Sequence, residues 1–171
     1  MMQKKRPRRF DTDLMVPPDA GGAIDPASLA LLKTWCEGGS EPLRVASIAP
    51  SAGLDAAASE LDGSHELARL GRLRGLLWRL QILLRECVTT THRASDPWDC
   101  GWWRDGALAA AESFQPRRAT LLMVREPDPA VAEALLSALR SGSSSYTKPV
   151  RVLLVSAAAP MASITSLRLI S

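Results

Sequence analysis

The sequence is poor in the residues that covalent and metal chemistry use. Three cysteines occur in 171 residues, Cys36, Cys87 and Cys100, with no CxxC pair. An odd, widely spaced set argues against a disulfide framework and a zinc ribbon. It fits a reducing compartment, so a cytoplasmic protein is expected. Two histidines are present, His65 and His92, and neither lies in an HExxH helix or follows a GxSxG serine. Without those patterns no catalytic set is read, and no metal site either; His92, Asp96, Asp99 and Cys100 match no ligand spacing and read as a structural loop. Cys100 as a lone nucleophile is the weaker reading of that loop thiol. Apolar runs are cut by Arg or Gly well short of the roughly 20 residues that cross a bilayer. The basic start Met1–Phe10 leads into Asp11, Asp13, Pro17 and Pro18, not into an apolar stretch, so neither an export signal nor a membrane partner is expected. Charge is nearly balanced, 21 cations against 18 anions, and a net +3 does not by itself mark a nucleic-acid binder.

What the chain does have is apolar bulk: 46% of its residues are hydrophobic, enough for one core at this length. Residues 1–22 read as a basic, disordered tail, 23–157 as the folded domain, and 158–171 as a second tail or an extra edge element. Asp25 before Pro26 starts a helix that runs to Glu37 and stops at Gly38-Gly39. Leu43–Ala49 is a short apolar run of strand type, followed by a loop and an Ala-rich helix, Leu54–Leu61. A leucine stripe predicts a helix over 65–88. Residues 89–105 read as an irregular segment, folded back on the body because it carries Trp98, Trp102 and Trp103. A short helix, Ala107–Phe114, precedes a second strand, Ala119–Val124. Asp128-Pro129 opens an amphipathic helix to Arg140, 141–145 reads as a flexible connection, and Val150–Ser156 is a third strand. Apolar strands separated by helices predict an α/β fold with three layers, a small, mainly parallel sheet carrying helices on both faces.

In such a sheet, chemistry sits beyond the carboxyl ends of the strands. A phosphate-binding loop there has the form GxxxxGK[ST]: glycines let backbone N–H groups curl round phosphates, Lys neutralises charge and Ser/Thr holds magnesium. Laid on the end of the first strand, the pattern puts Ala49 and Leu54 at the glycines, Pro50, Ser51, Ala52 and Gly53 between them, Asp55 at the lysine and Ala56 at the hydroxyl. The second strand should end in an acid; Leu121, Leu122, Met123 and Val124 are followed by Arg125 and only then by Glu126.

The order of these pieces, LALLKTWCEGG, LRVASIAPSAGLDAAASEL, DPWDCGWW, QPRRATLLMVREPD and KPVRVLLVS, resembles the nucleotide-binding domain of bacterial STAND/AAA-type P-loop ATPases over about residues 24–157. The resemblance implies a P-loop fold with degenerate Walker A (49–56) and Walker B (Arg125, Glu126) positions. A unit charge about 4 Å away is worth on the order of 4 kcal/mol at an effective dielectric near 20, and Lys to Asp reverses its sign. No cofactor is therefore expected, ATP with magnesium included. Three readings follow: a catalytically silent P-loop-like domain that acts by binding, as a protein-interaction or regulatory module or by self-association; a nucleic-acid-associated regulator using Lys4, Lys5, Arg6, Arg8 and Arg9 with Arg72 and Arg79 of the 65–88 helix; and an ATPase with an atypical site. A truncated parallel sheet with an open edge would itself favour association.

Overall fold

The computed structural model describes residues 11–19, 22–62, 92, 96–157 and 168–169. Helix α1 spans Pro26–Glu37, as read. The Asp25 carboxylate accepts the N–H groups of Ala27 and Ser28, and Gly38 closes the helix by donating to the Thr34 carbonyl at 2.9 Å. Gly39 then turns the chain at φ 76°, a conformation open to glycine, into strand β2, Leu43–Ile48. A five-residue connection leads to α2, Leu54–Leu61.

Strand β4 (Thr120–Arg125) and β5 (Val150–Val155) fall where the apolar runs place them. They pair in parallel with each other, and β5 pairs in parallel with β2. Helix α4, Pro129–Gly142, begins at an Asp128 cap with Pro129 at its first position. Alternate strand residues feed two cores. Leu121, Met123, Leu153 and Ile48 meet α1 and α2 through Leu32, Trp35 and Leu54. Leu122, Val124, Val150 and Val152 meet α4 through Leu135, Leu136 and Leu139. Burial of each such side chain contributes about 1.5–3 kcal/mol, and the three-layer α/β architecture follows from having to cover both faces.

Four expectations are corrected. Part of the segment read as irregular, 89–105, is a strand: β3, Asp99–Trp103, lies beside β4 in parallel. Its sequence DCGWW has no β-branched residue, so its strand character comes from neighbours. Gly101 is required there, because a Cβ would stand 2.8 Å from that of Met15 and 2.9 Å from the Val16 carbonyl oxygen. Those neighbours belong to the segment read as a tail: β1, Met15–Val16, pairs antiparallel with β3, and Leu14 and Met15 are buried. The helix read as Ala107–Phe114 is the shorter α3, Leu108–Glu112, packed against α4. The flexible connection 141–145 is the end of α4 and a 3-10 turn, Ser143–Ser145. There the hydroxyls of Ser141 and Ser143 donate to the carbonyls of Ala138 and Arg140, both at 2.7 Å. Serine hydroxyls satisfy helix-end carbonyls as readily as they satisfy turns, and composition does not distinguish the two.

The last described strand, β6 (Arg168–Leu169), pairs antiparallel with β2, giving the order β1-β3-β4-β5-β2-β6. The sheet edge expected to lie open thus carries a two-residue antiparallel strand on each side, a form that limits further pairing. The helix read over 65–88 lies outside the described residues.

Candidate functional site

The chain leaves β2 toward α2 on one face of the sheet and leaves β4 toward α4 on the other. At the carboxyl ends of β3 and β4, on the face that α2 covers, three side chains meet. Asp55 stands in the first turn of α2, where the helix dipole favours a carboxylate. Trp102 sits near the end of β3, in register with Met123 of β4. Arg125, two residues beyond Met123, projects from the same face of the sheet. The indole Nε1–H of Trp102 donates to Oδ1 of Asp55 at 2.5 Å, and the guanidinium carbon of Arg125 lies 4.4 Å from the centre of the Trp102 ring. Asp55 and Arg125, the residues that the sequence pattern laid at the lysine and acid positions, are thus joined through one tryptophan.

The loop before α2 has a simple geometry. Leu54 N–H bonds the Ser51 carbonyl at 3.1 Å, and Ala57 N–H bonds the Gly53 carbonyl at 2.9 Å. Gly53 is right-handed at φ −93°, and positive φ occurs among the described residues only at Gly22, Gly39, Gly106 and Glu126. A nest of N–H groups needs alternating hands, and residues 49–56 do not provide them. Pro50, Ser51 and Ala52 are exposed, Ala49, Gly53 and Asp55 half-buried, and Leu54 and Ala56 buried in the packing of α2. The backbone just before α1 also crosses this loop: a Cβ on Gly53 would lie 3.7 Å from the Ala23 carbonyl oxygen.

Glu126 keeps its acid beside Arg125 but applies it to the fold. Its backbone is held at φ 37°, a region that a glutamate enters at a cost. Its N–H donates to the Val155 carbonyl at 2.7 Å. Its carboxylate accepts from Ala157 N–H at 2.8 Å and from the Ser156 hydroxyl at 3.3 Å. The acid therefore ties the end of β4 to the turn after β5.

The remaining sequence candidates separate. His92 is drawn to Glu37, with Nε2 3.2 Å from the carboxylate, and its ring meets Trp98 edge-on at 5.1 Å. Trp98 Nε1–H donates to the same carboxylate at 2.9 Å. Asp99 lies instead at the start of β3, 3.7 Å from Arg118. Cys100 is fully buried, and burial pushes its thiol well above the ordinary range, the opposite of what a nucleophile requires. Cys36 is pushed up by burial as well. Among the described residues no group of three or more His, Cys, Asp or Glu is placed to hold a metal ion.

Two arginines that pattern reading passes over form a second polar cluster, at the amino end of the sheet. Arg151 is 2% exposed and donates to the carbonyls of Cys36 (2.9 Å), Gly38 (3.1 Å), Glu41 (3.1 Å) and Val150 (3.1 Å). Arg44 donates to Trp35 and Gly38 at 3.2 and 2.6 Å. Both neutralise the negative end of α1. The signal was an arginine within the apolar run VRVLLV, which must be buried with partners or not be a strand. Lys4, Lys5, Arg6, Arg8, Arg9, Arg72 and Arg79, the residues of the nucleic-acid reading, lie outside the described residues. In comparison with known proteins, the chain matches no family model, no curated protein and no solved structure.

Proposed function

We propose that this chain is a P-loop-like domain whose nucleotide site is closed by its own side chains, and that it acts by binding a protein, a second copy of itself included. One observation carries this reading: Trp102 joins Asp55 and Arg125 at the carboxyl ends of the strands, where a triphosphate and its cation would otherwise be received. The carboxylate of Asp55 repels the phosphates that a lysine there would attract, and Ala56, which lacks a hydroxyl, is buried. The loop also lacks the alternating backbone that cradles phosphates. Among the described residues no helix is long and apolar enough to cross a membrane.

Thermal unfolding with and without ATP and magnesium tests the closed site. A ligand at 100 times its Kd adds about 2.7 kcal/mol to the folded state. No shift in Tm is expected at millimolar nucleotide, and a clear upward shift overturns the reading. Restoring Asp55→Lys and Ala56→Thr with Ala49→Gly and Leu54→Gly leaves the indole in place, so the informative variant adds Trp102→Ala.

A further inference from the structure

We propose that Arg125, seated on Trp102, anchors an interaction surface that takes the carboxylate of an acidic side chain on a protein partner. The inference rests on the reading of this domain as a binding module and names the chemistry its partner presents. Arg125 is exposed, and its guanidinium rests on the indole at 4.4 Å. Among the described residues it makes no hydrogen bond or ion pair. The acids named in the site accept from other groups. Asp55 receives the indole N–H, and Glu126 receives Ala157 N–H and the Ser156 hydroxyl. The guanidinium is therefore positioned on the ring, with its N–H groups unpaired among the described residues.

That combination suits recognition. An arginine already held against a ring loses less side-chain freedom on binding than one extended in water. Its fork of N–H groups matches a carboxylate in two parallel hydrogen bonds. Trp and Arg are also the residues on which binding energy concentrates in protein interfaces. A single carboxylate matches the single open cation. A phosphate dianion would carry twice the charge toward Asp55 on the same indole and Glu126 next along the chain, and both of these acids repel it.

The indole N–H resonance of Trp102, assigned by its loss in Trp102→Phe, reports on this surface in the full chain. The probes are a capped pentapeptide with one central glutamate, the same peptide with glutamine at that place, and inorganic phosphate. The glutamate peptide is expected to move the resonance saturably, and the other two to leave it in place. Arg125→Gln, a change at an exposed position, should weaken the glutamate response about tenfold, the loss of a charge-assisted hydrogen bond. Arg125→Lys should restore only part of it, since an ammonium lacks the planar fork. No response to glutamate, an equal response in Arg125→Gln, or a phosphate response as strong as that of glutamate each overturns the anchor. A null peptide result with no ATP shift removes the anchor and leaves the closed site standing. An ATP shift removes the closed site whatever the peptide does.

Discussion

At the amino end of the parallel strands, Arg151 is sealed beneath α1 with its donors on four backbone carbonyls, and Arg44 joins it on the carbonyl of Gly38. At the carboxyl end, Arg125 lies exposed on one face of an indole. Both cations stand at strand ends, yet their surroundings differ in kind. Burial, and next the charge of Arg44, pull the pKa of Arg151 down, so the fold must supply every partner its guanidinium needs. Water supplies those partners to Arg125, and the protein supplies only its position. The first end is organised for stability. The second holds a glutamate at positive φ and an exposed cation.

The largest expected effect is at the buried end. Arg151→Met fills the volume but leaves the carbonyls of Cys36 and Glu41 without their side-chain donor, and that of Gly38 with Arg44 alone. Loss of several charge-assisted hydrogen bonds to groups that stay buried should cost about 3 kcal/mol. For a chain of this size that corresponds to a fall in Tm of about 6–12 °C. Urea unfolding at constant m checks it, and an unchanged midpoint would remove the distinction between the two ends. A smaller effect is expected from Trp102→Phe, which keeps an aromatic ring beside Arg125 but deletes the N–H given to Asp55 and trims a half-buried ring; a loss of about 1–2 kcal/mol follows from one hydrogen bond and the lost contact. A loss as large as that at Arg151 would make the carboxyl end a structural keystone as well.

The smallest effect concerns the start of α1, also at the carboxyl end. The hydroxyl of Ser28, then its N–H and that of Ala27, hold the carboxyl of Asp25 below its ordinary value of 3.8. A carboxylate with a folded pKa below its unfolded one stabilises the fold above the unfolded value. That contribution is lost as pH falls through the folded value. Asp25→Ala should therefore lower Tm near neutral pH, and the gap from the parent should close as the pH is taken below 3.8. A gap that is constant with pH would assign the effect to helix propensity instead of to the charged cap.

Much of the fold was legible because its signals are local. Asp25-Pro26 and Asp128-Pro129 mark two helix starts by capping chemistry alone, and LRVASI, TLLMVR and VRVLLV declare buried strands by apolar content. β3 and β1 were not legible, because DCGWW and MV acquire strand character only from each other and from β4. The site was half legible. Asp55 and Arg125 were singled out from the sequence, but the tryptophan between them comes from a strand that the sequence did not announce.

Amino-acid order by itself determined the alternation of helices and buried strands and the placing of an acid at Asp55 and a cation at Arg125. These are properties of single residues and their near neighbours. Tertiary structure alone decided that β3 would stand beside β4, that Trp102 would therefore reach α2 and touch both Asp55 and Arg125, and that Arg151 would be buried while Arg125 stayed exposed. Each of those outcomes depends on contacts between residues far apart in the chain, such as Asp99 with Thr120, Asp55 with Trp102 and Arg151 with Cys36. Contacts at that range are fixed by how the two faces of the sheet are covered, and the composition of any one segment does not contain them.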